Sequence, residues 1–271
     1  MISEAIARLT RAVTSLQKRR QKDTLARKHQ RNLTAFFQKQ KGMVLDQLRQ
    51  RQYLFTESYR QLSEEITRLT LQNWQNLWDE IAHNSTAELQ HIIASASADG
   101  LASGAVQLKT AMAFDAKTTF SLANPRAVRW FQQNGGSVDK IRGIQATTGD
   151  SLRRVIESAL DEGWSYSSTA KEIQKLYDGP ISRARAQRIA VFETGSAYEQ
   201  GNKLFAESLV DDGVEMQERW VTSHDEKVRP EHTANENEGW VEIGHVYSSG
   251  NADVPTDPGC RCYKEYREAP K

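Results

Sequence analysis

Cys260 and Cys262 are the two cysteines of this chain, and they stand one residue apart near its end, with His232 upstream of them. A disulfide between residues so close is poorly placed, because it needs Cα atoms about 4.4–6.8 Å apart with converging Cβ vectors. Thiolates and an imidazole are instead the donors that zinc prefers, in tetrahedral sets of four. The first reading is therefore a structural metal site with three donors, its fourth coming from Asp225, His224, His245 or water. A strand carrying both cysteines would set them about 7 Å apart on one face, so sharing an ion requires the backbone to bend. The second reading has the cysteines as small buried hydrophobes, His232 hydrogen-bonded in a turn, Asp225 paired with Arg229, and Arg261 bound to Asp257 or a backbone carbonyl.

The same groups admit an enzyme. His224, Asp225, His232 and the two thiols resemble a nuclease or hydrolase centre, in which a metal-bound water attacks a phosphodiester. Catalysis would also need an open coordination position and a groove. The chain has no Gly-rich phosphate loop, no His-Glu-x-x-His and no nucleophile elbow, so the expectation is a protein without catalysis.

Three stretches must position these residues. Residues 1–100 read as a basic helical arm. Ile2, Ile6, Leu9, Val13 and Leu16 step by four and three residues, like one seam of a coiled coil. Leu62, Ile66, Leu69, Trp74, Leu77, Trp78 and Ile81 continue an apolar face whose aromatics read as core. The small-residue run 95–104 predicts a turn or hinge. Residues 101–212 form a helical middle region. Asn124-Pro125 opens a helix that Gly135-Gly136 closes, and Thr147 or Thr148 caps a helix ending at Gly163. Ser165 to Tyr177 is a further helix, broken at Gly179-Pro180. Ser182 then caps a longer one through Phe192, Glu193 and Tyr198 toward Leu209. Residues 213–271 predict a small strand-rich subdomain: strands over 214–221 and 240–243, a turn at Asn237-Glu238-Gly239, and a third strand beginning at Cys260. The fold class expected is α+β.

Composition narrows the partners. Of 271 residues, 38% are hydrophobic, and the mean hydropathy of -0.67 suits helices with much solvated surface. No run of about 18 apolar residues is present to span a membrane, and the N-terminus lacks the basic-then-apolar order of a secretory signal. The net charge of +1 conceals a polarity: residues 1–60 carry 14 Lys or Arg and 4 Asp or Glu, while residues 191–271 carry 8 and 17. Lys18, Arg19, Arg20, Lys22, Arg27, Lys28 and Arg31 are the candidate contacts to DNA phosphates, through an attraction that weakens steeply with salt. The alternative partner for this basic face is an acidic protein surface or the chain's own acidic end. A free-standing DNA-binding coiled-coil protein is a further reading. The charges are spread around the helix rather than grouped beside a zipper, which counts against it.

Arg188-Ile189-Ala190 with Glu193-Thr194, Trp220-Val221-Thr222, Asp225-x-x-Val228-Arg229-Pro230-x-His232, Pro255-x-Asp257-Pro258 and Cys260-Arg261-Cys262 together resemble the phage head morphogenesis family, the Mu protein F-like minor head proteins, over about residues 145–265. Val191 and Phe192 stand where the family commonly has Arg and Thr, leaving Glu193 as the matched residue of that helix. The resemblance implies a structural protein of tailed-phage heads, made in the host cytoplasm and carried in the virion. It also implies association with the portal protein, the major capsid or scaffolding protein and the capsid interior, close to packaged DNA. Asp225 recurs in the family motif and is for that reason the fourth zinc ligand expected beside His232, Cys260 and Cys262. Glu193, Trp220, Arg229, Pro255, Asp257, Pro258 and Arg261 are implied as motif residues that hold the small domain together.

Overall fold

A computed structural model describes residues 2–52, 64–112, 121–181 and 183–270, with side-chain surroundings from residue 16 in the first segment and from 71 in the second. The fold is α+β. Helices α1 (Ile2–Gln50), α2 (Glu64–Ala111), α3 (Pro125–Asn134), α4 (Val138–Asp161), α5 (Tyr166–Leu176) and α6 (Arg183–Asp211) precede strand β1 (Met216–Val221). Helix α7 (Pro230–Asn237) and strands β2 (Val241–Glu242) and β3 (Tyr263–Glu268) complete the chain, and a π-helical turn, Tyr177–Ile181, follows α5. The strands form one antiparallel sheet in the order β2-β1-β3, with Gln217 opposite both Glu242 and Arg267. Among the described residues, no helix is long and apolar enough to cross a membrane.

Two compact units are assembled from pieces of all three stretches read from composition: residues 1–29, 93–135 and 188–271 make one, and residues 30–92 and 136–187 the other. In the first unit, Ala105, Leu108, Phe205, Ala206, Leu209 and Met216 form one apolar cluster. Leu101, Ala127, Ala197 and Leu204 form a second. Fully burying a side chain such as Leu or Phe contributes about 1.5–3 kcal/mol relative to leaving it exposed. The expected hinge at 95–104 is absent, because α2 runs through it without interruption. Its small residues serve packing instead. A Cβ on Gly104 would lie 1.9 Å from the Tyr198 carbonyl oxygen, and one on Gly201 would lie 2.1 Å from that of Leu101. Two helix backbones touch there, and any side chain would force them apart.

In the second unit, Leu33, Phe36 and Phe37 from α1, Trp74, Leu77, Trp78 and Ile81 from α2, and Leu152 and Ile156 from α4 are buried. The aromatics of residues 74–81 are core, as expected. A Cβ on Gly149 would meet the Trp78 indole nitrogen at 2.3 Å, so the ring packs directly against a bare backbone. Ile2, Ile6, Leu9 and Val13 of the proposed seam, with Leu62, Ile66 and Leu69, lie outside the described side chains, whereas Leu16 is exposed.

The helix boundaries follow capping chemistry with one correction. Asn124 accepts from the Arg126 N–H, with Pro125 in the first turn of α3, and Ser165 accepts from the Ser168 N–H at the start of α5. Helix α4 begins at Val138, well before Thr147 and Thr148, whose hydroxyls bond the Gly143 and Ile144 carbonyls within the helix. A threonine can satisfy itself in this way without capping anything. Gly163 has φ +69° just past the end of α4, where a left-handed residue was expected. Ser182, proposed as a cap, lies outside the described residues. The third strand starts at Tyr263, so both cysteines precede it in irregular chain, and α7 occupies the connection between β1 and β2.

Candidate metal centre

The site is built on two turns and a short helix, all within the first unit. Between β1 and α7 the chain turns at Asp225, where the Val228 N–H bonds the Asp225 carbonyl at 3.1 Å and the Lys227 N–H bonds its carboxylate at 3.0 Å. Self-bonding of this kind is what Asp brings to turns. Pro230 then opens α7, its missing N–H costing nothing in a first helical turn, and His232 follows on the buried side. Glu236 of the same helix accepts from the Thr222 hydroxyl at 2.7 Å and pairs with His224 at 3.2 Å, holding the loop that leaves β1. The second turn is Asp257-Pro258-Gly259-Cys260. Its Cys260 N–H bonds the Asp257 carbonyl at 3.0 Å, and Gly259 has φ +110°. Proline at the second position and a positive-φ glycine at the third are the requirements of a type II turn. That bend presents the cysteines, with Arg261 between them.

The two turns are tied crosswise. Arg229 donates both guanidinium nitrogens to Asp257, at 2.8 and 2.9 Å. Arg261 grips both carboxylate oxygens of Asp225, one of them at 2.6 Å. The pairs anticipated, Asp225 with Arg229 and Arg261 with Asp257, are thus exchanged: each arginine reaches across to the opposite turn. Two-pronged guanidinium–carboxylate contacts fix geometry as well as charge. Arg261 pulls the Asp225 carboxyl down to about 2, and Arg229 holds the Asp257 carboxyl below the usual carboxylate range.

Between the tied turns lie His232, Cys260 and Cys262, whose donor atoms all fall within 4.8 Å of one another. The Cys262 sulfur is 3.5 Å from His232 Nδ1 and the Cys260 sulfur 3.9 Å from it. Tetrahedral zinc, with Zn–S of about 2.3 Å and Zn–N of about 2.0–2.1 Å, places sulfur and nitrogen roughly 3.5 Å apart and two sulfurs roughly 3.8 Å apart. The donor set fits such an ion.

The ring is oriented for the task. Thr256 donates its hydroxyl proton to Asp257 at 2.7 Å, so toward His232 Nε2, 3.4 Å away, it acts as acceptor. Nε2 therefore carries the hydrogen, and the lone pair of Nδ1 faces the sulfurs. An outer partner that fixes the imidazole tautomer is the usual accompaniment of a histidine ligand. The two thiols are close enough to share a proton: hydrogen bonding from Cys262 lowers Cys260 to about 5, and the same contact raises Cys262. Trp220, fully buried, packs its ring 5.4 Å from that of His232 and 5.2 Å from that of Tyr247. Its indole N–H has no nitrogen or oxygen partner and acts on the Cys262 sulfur, favouring the thiolate.

The remaining expected residues take other places. Asp225 is not brought to the sulfurs, because its carboxylate is filled by Arg261. His224 and His245 pair with Glu236 and Glu238. Pro255 borders the cysteines, and Glu193 is buried on α6. Three of the seven proposed phosphate contacts are engaged within the chain, Lys28 while still exposed. Lys18 is buried and donates to the Lys264 carbonyl at 3.0 Å, Lys22 pairs with Glu199 at 2.8 Å, and Lys28 pairs with Asp99 at 2.6 Å. The chain's own acidic end is thus one partner of its basic arm. Arg19, Arg20, Arg27 and Arg31 are exposed.

Two participants went unforeseen. Thr256 fixes the histidine tautomer, and Lys264 pairs with Glu218 at 2.6 Å in full burial beneath the sheet. A lysine in the alternating pattern of β3 gives no sign of facing inward. Glu218, on the buried face of β1 between Met216 and Trp220, was the available signal.

No curated protein and no solved structure matches the chain. Residues 150–264 match the family model described as Phage Mu protein F like protein, a span holding α6, the sheet's central strand, both turns and all three donors. Over that segment the resemblance to the phage head morphogenesis family holds.

Proposed function

We propose that the protein is a minor head protein of a tailed bacteriophage, acting without catalysis in head morphogenesis at the portal and capsid interior, with its family domain locked by a structural zinc. The family match over residues 150–264 carries the first part of this reading. The second rests on the spacing and tautomer of His232, Cys260 and Cys262. The zinc would join the α7 turn to the Asp257–Cys260 turn, adding a third tie to the two arginine–carboxylate pairs. Exposed arginines on α1 supply a surface for packaged DNA.

Deletion of the gene from the phage, followed by electron microscopy of the particles and mass spectrometry of wild-type heads, tests the assignment. The expected result is a few copies of the chain in purified heads, and empty or malformed heads in the deletion. Absence of the chain from heads and proheads, with head yield unchanged on deletion, overturns it.

A further inference from the structure

The two cysteines line a cavity of about 280 Å³, and His232 does not. An ion held by all three donors therefore has the imidazole behind it and the cavity in front. Among the described residues no fourth protein donor joins the three, because Asp225, His224 and His245 are each engaged elsewhere. Closed zinc sites use four protein ligands, whereas sites with three keep a position for an exogenous one. Lys18, Arg19 and Lys22 from α1 and Arg261 from the turn line the other walls with Asp23; Lys22 and Arg261 already pair with Glu199 and Asp225 and Lys18 donates to a carbonyl, so Arg19 is the exposed cation that an entering anion meets. The Thr222 and Ser223 side chains add hydroxyls to the same wall.

We propose that the metal centre keeps one coordination position open to this cavity and there binds a small oxyanion, a carboxylate or a phosphate, as its fourth ligand. The proposal rests on the metal reading above and deepens it. Charge selects the class of ligand, since an anion both completes the coordination of a dicationic metal and is favoured by the Arg19 guanidinium at the cavity wall. The cavity lies on the side of the domain that α1 supplies, so an acidic side chain or a phosphate entering it touches the basic helix and the metal together.

The full chain, stripped of metal under reducing conditions and loaded with one equivalent of cobalt(II), reports on both questions. Tetrahedral cobalt bands with thiolate charge transfer are expected on loading, and a saturable change in the visible bands on adding acetate or inorganic phosphate. Response to acetate alone identifies a carboxylate source, and response to phosphate alone a phosphate source. Arg19→Glu, an exposed change, should leave cobalt binding intact and weaken the anion by about tenfold, equivalent to about 1.4 kcal/mol. Cobalt bands that neither anion moves overturn the open position and leave the metal reading standing. Failure to bind cobalt or zinc overturns both.

Discussion

Replacing Lys264 by Met tests the buried ion pair beneath the sheet. Its ammonium contacts Glu218 at 2.6 Å with side chains 2% and 0% exposed, and it also donates to the Ala252 carbonyl. Without it, Glu218 is left with one oxygen that already has no partner and a second newly deprived of one. Removing one member of a buried pair costs about 3–5 kcal/mol, chiefly because the survivor cannot return to water. Lys203, tied to Asp253 at 2.8 Å, also acts on Glu218, which places the expectation near the lower figure. A loss of about 3 kcal/mol lowers the melting temperature by about 6–12 °C in a chain of this size. Burial already raises the Glu218 carboxyl above its ordinary range. A carboxyl raised on folding contributes stability while protonated and loses it as pH rises through its folded value. The deficit of Lys264→Met should therefore shrink on acidification and grow toward alkaline pH. Thermal and urea melts followed by circular dichroism, on Lys264→Met and on Lys264→Met/Glu218→Met, measure it. The double variant should recover most of the loss, because two apolar side chains of similar volume leave no buried charge. A double variant as unstable as the single one refutes the reasoning and assigns the cost to other contacts of Lys264.

Three further outcomes follow from the geometry. Gly104→Ala should destabilise by at least about 1 kcal/mol, overpacking against the Tyr198 backbone outweighing the helix propensity gained; Gly143→Ala, with nothing within 4 Å, should stabilise by about 0.5–1 kcal/mol in the same melts. Asp225→Asn should retain one equivalent of zinc by elemental analysis while Cys260→Ser loses it, and loss of metal in both returns Asp225 to the ligand set. In a retardation assay across salt, joint replacement of Arg19, Arg20 and Arg31 by Gln should reduce the salt slope of DNA binding by about 2.7, at about 0.9 per phosphate contact; Lys18→Gln should leave the slope alone and lower stability.

The helices were legible because their signals are local. Asn124-Pro125, Ser165 and Gly163 each announce a boundary through backbone chemistry that needs no distant partner. The small-residue run of α2 misled for the opposite reason. Glycine that permits a hinge and glycine that permits contact between two helices are the same letters, and only the presence of Tyr198 against Gly104 distinguishes them. The site shows the same division. Its residue types and order were readable, down to the need for the backbone to bend at the cysteines. The exchange of partners between Asp225, Arg229, Asp257 and Arg261 was not, because which carboxylate meets which guanidinium depends on how two turns face each other across α7. Lys18 was misread because a basic helix in isolation gives no indication that one of its lysines will find a carbonyl far along the chain.

That contact has a consequence for how the protein is made. Lys18 and Lys264 are separated by 246 residues, and the first 29 residues of the chain share a unit with the last 84. At about 5–20 residues per second, the ribosome needs roughly 12–50 s to deliver the second half of that bond after the first. Once it has left the tunnel, the Lys18 segment spends the rest of that interval with this partner unmade. The Lys18–Lys264 bond cannot form before residue 264 is made, so a nascent chain stalled before Tyr263 exposes the same basic segment that the folded unit partly hides.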